Sequence, residues 1–187
     1  RLALVRAVQK QPKDDAADRL EKVALHDGSS QCRAAAASIL GSIKASDRAE
    51  VLLTLTKQPS HQERIRGAAI EALVALEDLR AIEPALALAA RGNFDRARPD
   101  AIRALAKLGG MAESADRDRI VQALLPMLDD PERRSRDAAG EALATLRATE
   151  ATDRLQAIAS SDRDPGRRER AERWLRAIRG EEPAQTP

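Results

Sequence analysis

The residues that could perform catalysis or bind a metal are few and far apart. His26 and His61 have no histidine, cysteine or acidic companion at zinc spacing, and no His-Glu-x-x-His sequence occurs. Cys32 is the single cysteine, which excludes an intrachain disulfide and a multi-cysteine zinc site. We therefore expect no catalytic residue, no metal site and no cofactor, with the histidines exposed near helix ends and Cys32 buried.

The remaining candidates for chemistry are a glycine pair and a serine pair. Gly109-Gly110 is not embedded in a glycine-rich phosphate loop, and we interpret it as a loop hinge. Ser160-Ser161 carries no nucleophile motif. An enzyme active site is therefore not predicted for this chain.

Five arginines recur at regular intervals and set the frame of the sequence. Each is followed by alanine three residues later and by leucine or isoleucine seven and ten residues later, and the intervals between them are 33, 32, 38 and 32 residues. Offsets of three, seven and ten lie on one face of a helix. The five, called ladder arginines below, are Arg33, Arg66, Arg98, Arg136 and Arg168.

A second amphipathic segment precedes each arginine-led helix, and turn residues separate the two. The five segments are Ala16–His26, Arg48–Lys57, Ala81–Arg91, Arg119–Leu128 and Ala151–Ser160. Each period is thus a helix–turn–helix hairpin, which cannot bury its apolar stripe alone, so consecutive hairpins must stack. We place the extra residues of the 38-residue interval in a loop at 109–114, and we expect Pro99 to delay or distort the start of its helix.

Composition agrees with a helical repeat array. Aromatic residues make up 1% of the chain, whereas strand-rich folds depend on aromatic and β-branched residues. Charged residues make up 33% with a formal net charge of +2, so both signs cover solvated faces. No apolar run reaches membrane-spanning length, and nothing distinguishes the cytoplasm from the periplasm.

The segments from 64 to 73 and from 134 to 143 resemble the second helix of short bacterial HEAT repeats. This resemblance covers about residues 14–180 and implies an all-α fold, a right-handed α–α superhelix of about five helical hairpins. It also implies that the ladder arginines are structural, with guanidinium groups that bond turn carbonyls or a nearby aspartate. The exposed face of the second helices would line the concave surface.

Several positions on that face are candidates for contact with a partner. Five residues after each ladder arginine lie Ser38, Glu71, Arg103, Glu141 and Arg173. Their charges are mixed, which suits a protein partner better than the continuous basic track that nucleic acid needs. Trp174 replaces the alanine of earlier copies, and either closes the end of the array or contacts a partner.

The two ends of the chain are expected to differ. Residues 1–13 read as the remnant of a preceding helix, residues 14–180 as five hairpins, and residues 181–187 as a disordered tail. The array would continue upstream or dock on a preceding domain, and the polar last helix would cap it.

Four functions remain open at this stage. The first is a monomeric, non-catalytic scaffold that binds a protein or an upstream domain of the same chain. The second is a C-terminal accessory domain, because the segments 92–106 and 128–131 are similar to the HEAT-like tail of aminopeptidase N-like zinc metallopeptidases. The others are a DNA-binding HEAT-like module and a HEAT-like bilin lyase, which no aromatic or cysteine pattern favours.

Overall fold

The computed structural model describes residues 1–8 and 13–181, and in these residues it contains eleven α-helices and no strand. Short 3-10 turns precede α4, α5, α6 and α10 and extend α8. The helices are α1 (Leu2–Val8), α2 (Lys13–His26), α3 (Ser30–Ser42), α4 (Ala49–Leu55), α5 (Arg64–Ala75), α6 (Ile82–Ala89), α7 (Arg98–Met111), α8 (Ser114–Leu124), α9 (Arg133–Thr145), α10 (Thr152–Ser161) and α11 (Pro165–Arg179).

The helices from α2 to α11 form five antiparallel hairpins that stack side by side. Each second helix packs against the second helices before and after it, from α3 through α5, α7 and α9 to α11, and α1 packs on α2 and α3. This all-α solenoid confirms the predicted fold class. The division of the chain at residues 13 and 180 stays a prediction, and residues 182–187 of the expected tail lie outside the described residues.

The predicted apolar stripe is the core of the array. The alanines three residues after the ladder arginines are at most 2% exposed, and the leucines seven residues after them at most 4%. Burial of a leucine side chain stabilises a fold by about 1.5–3 kcal/mol, so the repeated stripe supplies most of the driving force for stacking. The members are Ala36, Ala69, Ala101, Ala139 and Ala171, with Leu40, Leu73, Leu105, Leu143 and Leu175.

Four of the five second helices share one geometry at their C-terminal ends, and α7 is the exception. Lys44, Glu77 and Arg147 have positive φ values of 55°, 60° and 48°, and Gly180 has one of 72°. In each case the following residue donates its N–H to a carbonyl five residues earlier, as Asp78 does to Leu73. This is the Schellman arrangement, in which glycine is the favoured left-handed residue.

We therefore expect Glu77→Gly to stabilise the chain by roughly 0.5–1 kcal/mol, because glycine adopts positive φ without a Cβ clash. Denaturant unfolding measures this change. As a control, Glu141→Gly inside α9 should destabilise by about 1 kcal/mol. Loss of stability in the Glu77 variant would contradict the assigned geometry.

Two expectations for the third hairpin were wrong. Helix α7 begins at Arg98 itself, with Pro99 in its first turn, where the missing N–H costs nothing and the fixed φ suits a helix. Gly109 and Gly110 are also helical rather than a loop, and only Ala112 and Glu113 separate α7 from α8. Leu146 packs 3.0 Å from the ideal Cβ position of Gly109, so a side chain there would be crowded, which accounts for a glycine inside the helix.

The expectation that Trp174 could contact a partner was also wrong. Trp174 is 6% exposed, and its ring lies over Gly140 of α9. A Cβ at Gly140 would stand 2.4 Å from the ring, so glycine is the residue that lets α11 approach with a large side chain. The indole completes the interface between the last two hairpins instead of facing outward.

This packing predicts opposite effects for two glycine-to-alanine changes in second helices. Gly140→Ala should destabilise by about 1–3 kcal/mol, since the ring of Trp174 must move. Gly67→Ala in α5 should stabilise by roughly 0.5–1 kcal/mol, because an added Cβ there meets no atom within 4 Å. Equal effects in thermal or denaturant unfolding would count against the contact of Trp174 with Gly140.

Candidate functional site at the junction of the second and third hairpins

The ladder arginines hydrogen-bond residues in or near the turns of their own or the next hairpin, and Arg98 makes the largest number of these bonds. Its Nη1 and Nη2 donate to Asp130 Oδ1 at 3.1 Å and Oδ2 at 2.6 Å, and its Nε donates to the carbonyl of Ala89 at 3.0 Å. Both side chains are at most 3% exposed. Because Asp130 lies in the turn of the next hairpin, this bidentate pair bridges the third and fourth hairpins.

Three other ladder arginines bond turn residues of their own or the next hairpin. Arg33 donates Nε to the carbonyl of Ala24 at 2.7 Å and Nη2 to the side chain of Gln58 in the next turn. Arg136 donates to the carbonyls of Asp130 and Pro131, and Arg168 to the carbonyl of Asp162.

Arg1 continues this arrangement at the start of the chain. It lies 32 residues before Arg33, and its Nη2 donates to Asp27 Oδ1 at 3.0 Å. Asp27 stands six residues before a ladder arginine, as do Asp130 and Asp162. At Asp27 and Asp130 this spacing marks the partner of the preceding arginine, whereas Asp162 pairs with Arg167.

Arg66 is the exception, because the next turn offers it no acceptor side chain. The positions that correspond to Gln58 and Asp130 are Ala90 and Gly92. The single charged contact of Arg66 in the described chain is Nη1 to Glu63 Oε2 at 3.3 Å, and its buried Nε has no acceptor. The ladder is therefore interrupted between the second and third hairpins.

The Arg98–Asp130 bridge predicts a pH-dependent part of stability. Hydrogen bonds from the Arg98 guanidinium and, to a smaller extent, from the Glu132 backbone N–H together lower the pKa of Asp130 from 3.8 to about 2. A carboxyl whose folded-state pKa is depressed stabilises the fold above its unfolded value and loses that contribution as pH falls from about 4 to about 2. The contribution is on the order of 2 kcal/mol.

We expect Asp130→Asn to cost about 3–5 kcal/mol near neutral pH, because it leaves the Arg98 charge buried and without its counterion. The variant should also lack the steep loss of stability between about pH 4 and pH 2. Arg154→Gln, which removes an exposed partner of Asp129, should cost no more than about 1 kcal/mol. A shallow, equal cost for both variants would argue against a buried bridge.

A second set of ion pairs links the first helices, and the sequence analysis did not predict it. Arg48 pairs with Asp18 and Glu21, Arg80 with Glu50, and Arg119 with Glu83. The sequence does contain a signal for these pairs, because Arg48 and Arg80 each lie 18 residues before a ladder arginine and so recur with the repeat. These pairs are largely solvent-exposed, so each contributes little to stability.

The predicted partner positions on the second helices are all exposed. Ser38, Glu71, Arg103, Glu141 and Arg173 follow one another on α3, α5, α7, α9 and α11. Arg103 donates to Asp100 at 2.7 Å. Glu71 has no ion pair in the described part of the chain, although Lys107 lines the same surface.

A groove runs along this surface between α5 and α7, the second-helix pair with the least extensive contact. It has two depressions of about 330 and 320 Å³. Glu71 and Asp100 line both, and are thus at its centre. Phe94, which is 39% exposed, lies at the end where α5 and α7 begin.

The centre of the groove disfavours negative charge. The pKa of Glu71 is raised, first because the groove walls displace water from its carboxylate and then because the Asp100 carboxylate repels it. A cation placed between the two carboxylates would relieve both effects. The flanks are basic, with Arg64 and Arg96 at one end and Arg103 and Lys107 at the other.

The backbone is strained at the entrance of the groove. Gln62 and Glu63 adopt consecutive left-handed conformations with φ values of 58° and 54°, and Gln62 lines the groove beside Phe94. Non-glycine residues in this region cost on the order of 1 kcal/mol each, and such strain concentrates at functional sites. Helix α5 starts from this strained turn, and its first turn is capped by Ser60 Oγ, which accepts from the Ile65 N–H at 3.0 Å, and not by the adjoining Glu63.

The residues tested for metal chemistry are not assembled into a site. His26 and His61 are exposed, and Cys32 is buried and free. Across the described residues, no three His, Cys, Asp or Glu side chains are grouped to hold a metal ion. None of the helices described combines the length and apolar character that crossing a bilayer requires.

Comparison with known proteins identifies the repeat. The family model of HEAT repeats matches residues 17–106. Residues 17–106 are therefore HEAT repeats, within a longer helical-repeat solenoid. The matched segment contains the first two hairpins and most of the third, including the junction at Arg66. No curated protein matches the solenoid.

Solved structures with a similar fold are also helical repeats. The complex of CpcE and CpcF of phycocyanin lyase from Nostoc sp. PCC7120 has a chain 23% identical with a TM-score of 0.64, and the alignment covers 85% of this solenoid and 97% of that chain. An engineered protein is 19% identical with a TM-score of 0.64, and the alignment covers 94% of this solenoid and 87% of that chain.

A computationally designed armadillo repeat protein for modular peptide recognition is 15% identical with a TM-score of 0.58, covering 95% of the solenoid and 99% of that chain. At these identities all three likenesses establish the fold alone.

Proposed function

We propose that this solenoid is a non-catalytic scaffold that holds an extended segment of a partner protein in the groove between α5 and α7. The observation that carries the proposal is the groove itself, in which two carboxylates stand at the centre, beside small residues such as Gly67, Ala68 and Ala104 and between basic flanks. Small side chains let a peptide backbone approach the helices closely. The mixed charges would fix the position and orientation of the bound segment more than they would raise its affinity.

The chemistry of the groove selects a particular kind of segment. A lysine or arginine side chain fits between Glu71 and Asp100, where negative charge lacks full compensation. An apolar side chain one or two residues away would cover Phe94, which is one of the few large exposed apolar groups of the described chain. Acidic groups would complement the basic flanks.

A nucleic-acid partner is less well supported by the same surface. The candidate positions alternate in charge from Glu71 through Arg103 and Glu141 to Arg173, so they form no continuous basic track for phosphates. Phe94 is the sole exposed aromatic ring of the described residues, which leaves no platform for successive bases.

Selection from a random peptide library displayed on phage tests the proposal. We expect enrichment of sequences that contain a basic residue next to an apolar one. Binding of the selected peptide, measured by fluorescence anisotropy, should weaken about tenfold or more in Glu71→Lys, since one charge-assisted contact is replaced by repulsion. Glu150→Lys makes the same charge change in an exposed turn before α10 and should leave binding unchanged.

Two results would overturn the proposal. One is a library that yields no sequence above the background recovered from an unrelated protein. The other is a selected peptide whose affinity falls equally in the Glu71 and Glu150 variants, which would indicate non-specific charge attraction.

A second candidate is an accessory role in a larger zinc metallopeptidase, in which the solenoid braces an upstream catalytic domain. The observation that favours it is Leu4 on α1, which is 71% exposed and suits an interdomain contact. This version requires a His-Glu-x-x-His sequence upstream of Arg1 in the full gene. A full-length protein without that sequence would exclude the metallopeptidase candidate.

A further inference from the structure

The side of the junction opposite the groove contains a cleft between α4 and α6. Its volume is about 660 Å³, which exceeds that of either depression in the groove. Leu53 from α4 and Pro84 and Ala87 from α6 supply apolar walls. Arg66 reaches this cleft from α5, and Lys57 lines it at the end of α4.

Some charged side chains in this cleft have a close ion-pair partner, and others do not. Glu50 is paired with Arg80, and Glu83 with Arg119. Lys57 has no ion pair among the described residues, and Arg66 has only the 3.3 Å contact with Glu63. Two cations thus face a cleft with partly apolar walls and lack the close carboxylate partner that Arg80 and Arg119 have.

The missing group can be identified from the other hairpins. Arg1 and Arg98 each receive an aspartate carboxylate from the next hairpin, and Arg33 receives a glutamine side chain. At the corresponding positions for Arg66 the chain has Ala90 and Gly92. The Nε of Arg66 is also buried without an acceptor, whereas the Nε of Arg33 and that of Arg98 each donate to a carbonyl nine residues earlier in the same hairpin.

We infer that the α4–α6 cleft binds a carboxylate side chain of an acidic, partly apolar protein segment, with Arg66 and Lys57 as the residues that recognise it. The carboxylate occupies the place that an aspartate or glutamine of the next hairpin takes elsewhere in the ladder. The arginine guanidinium can donate two parallel N–H bonds to a carboxylate, and adjacent leucine-type side chains cover Leu53 and Pro84. This site is separate from the groove and does not depend on the function proposed for it.

Nuclear magnetic resonance of the arginine side chains tests this inference on the full chain. The probe is acetyl-Leu-Glu-Glu-Leu-amide, with acetyl-Leu-Gln-Gln-Leu-amide as its neutral match. We expect a saturable shift of the Arg66 Nε–Hε resonance with the acidic peptide, and at least tenfold weaker binding of the neutral one. The resonance is assigned by its loss in Arg66→Lys.

Substitutions distinguish specific binding by Arg66 and Lys57 from non-specific attraction between opposite charges. Arg66→Lys and Lys57→Gln should each weaken binding severalfold, whereas Arg154→Gln, a charge removal at the fifth hairpin, should not change it. Ala90→Glu is the sharpest variant, because Ala90 is exposed and a glutamate there can supply the missing carboxylate within the chain, as Gln58 does for Arg33. It should abolish peptide binding and shift the Arg66 resonance without peptide.

Three outcomes would overturn the inference. The first is an Arg66 resonance that the acidic peptide does not move. The second is an Ala90→Glu variant that keeps full affinity while circular dichroism shows it folded. The third is a stronger response of Arg66 to inorganic phosphate than to the peptide, which would assign the cleft to a phosphate ligand instead.

Discussion

The constraint on which the structure depends is that each hairpin has an apolar stripe that only a neighbouring hairpin can cover. Alanine and glycine on the second helices bring the backbones close enough for this, as where Gly41 leaves room for Ala72. Leucines beyond the alanines then fill the remaining space. Stability is therefore close to a sum of hairpin and interface contributions, so one weak interface can be tolerated without loss of the fold.

The junction between the second and third hairpins is such an interface. The contact between α5 and α7 is sparse, the ladder arginine has no acceptor across it, and the turn that begins α5 is strained. These features come from separate parts of the sequence, yet all leave surface open at one place. Natural sequences commonly depart from local rules where a surface serves a function rather than the fold.

The repeat was predictable because it depends on local periodicity. The ladder arginines, the alanine and leucine offsets and the hairpin turns all follow from helical geometry, and each is read without knowledge of distant contacts. The bounds of α7 were not predictable in this way. Gly109 suggested a loop, but it serves close packing inside α7, where Leu146, 37 residues later, lies 3.0 Å from its ideal Cβ position.

The candidate site was predictable in part. The exposed positions, including Glu71 and Arg103, follow from the helix face opposite the core. The groove does not, because its depth depends on how far apart α5 and α7 lie. Trp174 was misplaced for a related reason, since its direction depends on the space above Gly140. The gap in the ladder at Ala90 and Gly92 could have been found by aligning the turns.

Native-state hydrogen exchange, followed by residue as denaturant is increased, tests the central claim of hairpins joined by unequal interfaces most directly. The account predicts that amides of α5 and α6 near the junction open with a lower free energy than amides of α7 and α9, which the Arg98–Asp130 bridge joins. Exchange of all second helices through one global unfolding event, with a single free energy, would contradict it.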